Sequence, residues 1–186
     1  MRKHSKATGY CLTMTKRQEF QTLKKFAEFE IREYKPCVIA QVETSAAYSE
    51  AASSAFGLLF GYISKGNKTS QKIAMTAPVI TAQHGDERSA DQWFVSFVMP
   101  AGSTITDMPL PMNSKVVLHE LGSEICVAAS FRGKATAALS AKKIAQLRAA
   151  AEKQNVALSQ ESRIARFDPP FKPGFMQYNE IVIPTI

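Results

Sequence analysis

The chain is short of the residues that do chemistry by themselves. Three cysteines (Cys11, Cys37, Cys126), three histidines and one tryptophan occur in 186 residues. An odd cysteine count, with no Cys-x-x-Cys and no Cys/His cluster, excludes a disulfide-stapled scaffold and a zinc site of ordinary spacing. Cys37 and Cys126 read as small buried apolar groups in a reducing compartment, which points to the cytoplasm. No run of about 18 apolar residues occurs, so no membrane-spanning helix is expected. The chain also lacks G-x-S-x-G, H-E-x-x-H, a P-loop and a glycine-rich dinucleotide turn. These absences remove the common hydrolase, metalloprotease and nucleotide-binding readings. Binding is left ahead of catalysis.

What the chain does have is enough apolar residue, 45%, for one substantial core. Its formal charge of +7 is unevenly spread. Residues 1–25 carry seven Lys/Arg and one acid, whereas residues 26–186 carry 16 basic and 15 acidic side chains. The basicity belongs to the N-terminal stretch, which reads as a solvated, partly disordered extension. Its shortage of acids also fits a transit peptide, so an organelle is the alternative location. The folded part, 26–186, is near neutral and gives no electrostatic footprint for nucleic acid.

Strand patterns appear at 26–32, 35–43, 72–81, 92–99, 115–121, 124–132, 163–167 and 179–183. Helical patterns cover 46–64 and 138–155. The order is ββαββ twice over. Laying "FEIREYKPCVIAQVE" on "VVLHELGSEICVAAS", an offset of 87, places Phe29 and Ile31 on Val116 and Leu118, and Val38 on Ile125. The expected fold is α+β: a duplicated ββαββ unit, with pseudo-repeats at about 26–100 and 113–186. The strands would form a distorted, open mixed barrel flanked by two helices.

The two helical stretches differ. The second alternates charges (Lys142, Lys143, Arg148, Glu152, Lys153) with an apolar stripe of Ile144, Leu147 and Ala151, as a half-buried helix does. The first, "SAAYSEAASSAFGLLFGYISK", has only Glu50 before Lys65. Ala52, Ala55, Leu59 and Tyr62 form one stripe, with Phe56, Phe60 and Ile63 beside it. A helix apolar on most sides must be covered on most sides, by protein or by a ligand. After it comes "SQKIAMTAPVIT", where Ile73, Met75, Ala77 and Val79 alternate as in a strand but Pro78 interrupts. A bend or an edge is expected there, with Met75 facing inward.

"KIAMTAPV", preceded by "FGYISKGN", resembles the SOUL family of haem-binding proteins. The similarity continues through residues 97–121 and the closing "DPPFKPGFMQYNEIVIP", and so spans about 26–184. It implies a duplicated ββαββ barrel, and haem or a related tetrapyrrole held largely by apolar contact against the first helix. On that basis Phe56, Leu59, Phe60 and Ile63 are the expected slot, Met75 flanks it, and Lys65 and Lys72 meet the propionates. Gly57 stands where many similar proteins carry a basic residue. No histidine is an obvious iron ligand: His4 lies in the extension, His84 in a polar loop, and His119 alternates away from the apolar positions. Cys37, Tyr62 and Met99 are further candidate iron ligands, and Met75 beside the ring is another. The implied role is a non-catalytic carrier, buffer or sensor. The alternatives are a protein-interaction module using the same helix, or an enzyme acting on a tetrapyrrole or another small apolar ligand.

Overall fold

Among the described residues, nine strands and two α-helices follow one another as β1 (Phe20–Lys25), β2 (Glu30–Tyr34), β3 (Cys37–Thr44), α1 (Tyr48–Ile63), β4 (Val79–Gln83), β5 (Trp93–Val98), β6 (Val116–Leu121), β7 (Glu124–Arg132), α2 (Ala137–Lys153), β8 (Ser162–Arg166) and β9 (Tyr178–Pro184). The structure, a computed structural model, describes residues 16–45, 48–83 and 92–186, with side-chain surroundings for all of these but 48, 49, 51 and 52. The expected partly disordered residues 1–15 and His84 lie outside that set. No helix among the described residues is long and apolar enough to cross a membrane.

The strands form one sheet in the order β1-β2-β7-β9-β8-β4-β5-β3-β6, curled into a half-barrel. The sequence leads one to expect a mixed sheet. Instead every ladder between these strands is antiparallel. A parallel pairing occurs in an isolated bridge, Arg17 to Ala77. Exchanging β2, β3, β4 and β5 with β6, β7, β8 and β9 returns the order of those eight strands reversed. β1 is the extra strand, and it caps one edge.

Alternation gives the sheet two faces. On one, Val38, Ala40 and Val42 of β3 join Val95, Phe97 and Val116 beneath Ala55, Leu59, Tyr62 and Ile63 of α1. Phe29, Val127, Ile164, Ile181 and Ile183 lie beneath Leu147, Ala150 and Ala151 of α2 on the same face. The opposite, open face carries Tyr34, Cys126, Ala128, Ala165 and Val182, with Ile39, Ile80 and Val98 beside them. α2 starts at Thr136, whose hydroxyl accepts the Leu139 N–H at 3.2 Å, and ends at Asn155 in the left-handed region.

Two sequence expectations change here. The folded part does not begin at residue 26, because Phe20–Lys25 pair with β2 as an edge strand. That strand is almost wholly exposed and carries two lysines, so composition reads it as extension although its backbone is paired. The stretch 72–81 is a strand only from Val79. Upstream, the Ala77 N–H donates to the Lys16 carbonyl and the Ala77 carbonyl accepts from the Gln18 N–H, both at 2.9 Å. Pro78 has no N–H for a ladder. The segment is therefore held by a crossing strap of chain and by side chains.

Candidate functional site

α1 buries one stripe and presents another. Consecutive residues on a helix point about 100° apart, so neighbours can take opposite fates. Leu59 is 0% exposed and Phe60 is 49% exposed. Leu59 and Ile63, expected in the ligand slot, both face the sheet and are part of its core. Phe56 is half-buried, with its ring edge-on to Phe97 at 5.2 Å and within 10° of parallel to Phe60 at 6.0 Å. The outward surface thus starts at Phe56 and stands fully clear at Phe60. Gly57 and Gly61 lie beside these rings, and a methyl group at either would meet nothing within 4 Å. The result is an apolar shelf on which positions 57 and 61 carry no side chain.

The connection leaving α1 places the remaining expected residues. Gly66 comes so close to the helix end that a Cβ there would sit 2.6 Å from the Gly61 carbonyl oxygen. Asn67 is fully buried. Its amide donates to the Tyr62 and Gln71 carbonyls at 3.0 and 2.7 Å, and its Oδ1 accepts from the Gln71 N–H and the Thr69 hydroxyl. The helix's last carbonyls and the next turn are thereby tied by one side chain. The Ile73 N–H then donates to the Ile63 carbonyl at 2.8 Å, and the Thr76 hydroxyl donates to the Val98 carbonyl. Between these two anchors Met75 is 45% exposed, not inward as the alternation suggests. Lys65 and Lys72 are exposed on the same connection.

Phe56, Phe60, Met75, Lys65 and Lys72 are thus outward-facing groups on α1 and the segment leaving it, while Leu59 and Ile63 support them from beneath. Of the other side chains able to ligate iron, Tyr62 is buried and donates to the Pro109 carbonyl at 3.0 Å. Met99 is buried in the sheet core. His119 is exposed and stands opposite Ile39, on the face away from α1. Cys37 lies on that face too, and burial pushes its thiol up to about 11.

Sequence reasoning missed the polar network of the open face. Arg32 and Glu180, 148 residues apart, form a buried two-bond pair at 2.8 and 3.3 Å. Arg32 also donates to Glu30 and to the Tyr34 hydroxyl, and Tyr178 donates to Glu180 at 2.6 Å. Burial opposes the Arg32 charge, but the bonds to Glu180 outweigh it and the guanidinium stays protonated. Burial pushes the Tyr34 hydroxyl up to about 12, against the pull of Arg32. The strap covers this network. Phe20 lies under the Arg32 guanidinium at 4.1 Å, and the Arg17 guanidinium sits over Phe167 and Tyr178 at 4.6 and 5.3 Å. A cavity of about 30 Å³ remains there, room for about one water. A more open cleft of about 470 Å³ lies along α2, between Leu147, Ala150 and Lys153 on one side and Ala129 and Ile181 on the other.

Three solved structures share the fold at low identity. The EcmrR C-terminal domain superposes with a TM-score of 0.65 at 11% identity, over 90% of this chain and 98% of that one. A hydrolase from Listeria innocua gives 0.58 at 12%, over 88% and 94%. SAV2435, solved bound to tetraphenylphosphonium, gives 0.53 at 9%, over 86% and 94%. No curated protein matches the chain. The family model described as SOUL heme-binding protein matches residues 15–184.

Proposed function

The chain belongs to the SOUL heme-binding protein family, and from that premise we propose that it holds haem or a related tetrapyrrole on the outward face of α1, as a carrier, buffer or sensor. The observation that carries this reading is Phe60, a large apolar side chain half exposed on a helix whose next-door Leu59 is fully buried. Phe56, Phe60 and Met75 offer the apolar contact that a flat macrocycle requires. Gly57 and Gly61 leave room for it to approach the helix, and Lys65 and Lys72, with Lys68 between them, are cations within the same connection for its propionates. When bound, haem would supply an iron able to take axial ligands or exchange electrons. The chain's own part is to cover one face of the ring and exclude water from it. The buried network of Arg32 and Glu180 stands on the other sheet face, away from this shelf.

The same reading includes duplication of one ββαββ unit, supported by the reversible strand order and by the offset of 87 between matching apolar positions. One copy of the helix then kept a charged outer surface, and the other became the apolar shelf. A reducing, cytoplasmic setting suits the free thiols of Cys37 and Cys126.

Hemin titration followed at the Soret band tests the reading. Wild type should saturate, and Phe60→Glu should lose the shift. Val117→Glu replaces a similarly exposed apolar side chain on the other sheet face and should behave as wild type. Equal binding by Phe60→Glu and wild type would remove α1 as the site.

A further inference from the structure

The closing stretch "DPPFKPGFMQ" makes a loop that neither the shelf nor the core uses. Phe171 is 86% exposed, Phe175 78% and Met176 46%. Side chains in a flat protein–protein patch are partly covered by their neighbours. These two phenylalanines stand clear of the body on nearly every side, as a protruding tip does.

The tip is stiff. Three prolines fix φ at positions 169, 170 and 173. The Lys172 N–H donates to the Pro169 carbonyl, and the Met176 N–H to the Pro173 carbonyl. The Gln177 side chain donates back to the Lys172 carbonyl at 2.9 Å. Asp168 closes the base, accepting the Tyr178 N–H at 2.7 Å and the Lys172 ammonium at 2.8 Å. A floppy loop could fold its rings onto the protein. This one holds them outward.

Its surroundings are basic. Arg132 donates to the Met176 carbonyl at 3.3 Å, and the Lys134 backbone and Cβ lie against Gly174. With Lys172 that puts three basic residues in or against the loop, Lys172 being ion-paired to Asp168 at its base. Aromatic groups at a tip ringed by lysine and arginine fit the region where acyl chains meet anionic headgroups. The rings enter the apolar side of that boundary and the cations stay with the phosphates.

We propose that residues 168–177 form a membrane-docking tip that places Phe171 and Phe175 in the surface of an anionic lipid bilayer. The contact is peripheral and reversible, and it is independent of the tetrapyrrole reading.

Co-sedimentation of the full chain with phosphatidylcholine vesicles, with and without about one third phosphatidylserine, tests this. Wild type should partition onto the anionic vesicles and less onto the neutral ones, and added salt should weaken it. Phe171→Ser and Phe175→Ser should each lower partitioning about tenfold, with unchanged unfolding midpoints because neither ring is buried. An indole introduced by Phe171→Trp should shift to the blue on anionic vesicles and be quenched by brominated lipid. Unchanged partitioning by the double serine variant would overturn the proposal, since the basic N-terminal residues would then carry the binding. So would wild type that stays in the supernatant, including wild type that instead self-associates through these rings.

Discussion

Leu59 and Phe60 are adjacent in sequence and opposite in fate, and replacing each separates folding from binding. Leu59→Ala removes a fully buried side chain from the core under α1. Leu→Ala at such a site costs about 2–5 kcal/mol, the transfer of the lost methyl groups plus the cavity they leave. Phe60 is 49% exposed, so only about half of the ~1.5–3 kcal/mol attached to burying such a side chain is at stake, about 1 kcal/mol. Phe60→Glu should therefore lower apo stability by about 1 kcal/mol. With a macrocycle lying over it, the same carboxylate loses its water without gaining a partner. That costs several kcal/mol, or roughly a hundredfold or more in affinity. Urea unfolding of the apo variants and hemin titration of the same samples give both numbers. Leu59→Ala should show a clearly lower midpoint, with binding retained where the chain remains folded. Phe60→Glu should show a nearly normal midpoint and no Soret shift. If Phe60→Glu unfolds as early as Leu59→Ala, the shelf is ordinary core and the reasoning fails. If it is stable and binds as wild type does, the ligand lies elsewhere, and the cleft along α2 is the next place to look.

Other outcomes rest on the packing. Leu147→Glu puts a charge in the closed core beneath α2 and should prevent folding or sharply lower the midpoint, whatever the ligand. Arg32→Met alone leaves Glu180 buried without its ion-pair partner and should cost about 3–5 kcal/mol, whereas Arg32→Met with Glu180→Leu should recover most of that in a double-mutant cycle. Asn67→Ala removes the side chain that ties α1 to residues 69 and 71, and should cost roughly 1–3 kcal/mol by urea unfolding. Burial pushes the Cys37 and Cys126 thiols up to about 11 and 12. In a Cys11→Ser background both should react with a disulfide reagent at pH 8 far more slowly than after unfolding. The sign for stability comes from the proton balance. The unfolded thiols ionise near 8.5 and the folded ones do not, so this contribution is intact below about pH 8.5 and declines as pH rises through 11 and 12. A flat unfolding midpoint across that alkaline range would contradict the burial of both groups.

Local pattern was enough for much of this protein. The periods of two and 3.6 placed both helices and most strands within a few residues, because amphipathic spacing is a property of neighbours along the chain. The unusual apolarity of α1 was legible for the same reason. So was the family, through the ordered blocks around "KIAMTAPV". Period alone could not say which of α1's two apolar stripes would meet the sheet. That was decided when β3 and β5 presented Val42, Val95 and Phe97 to Leu59 and left Phe60 outside. Nor could it place residues 72–77, where the Ala77 backbone is met by Lys16 and Gln18 some 60 positions earlier. Arg32 and His119 occupy matching positions under the offset of 87. Arg32 is buried because β2 lies between β1 and β7 and its guanidinium meets Glu180. His119 stays exposed because β6 is the edge of the sheet. A residue's own neighbours set which way it points. What it then touches depends on which distant strand lies alongside, and that is fixed only when the whole sheet closes.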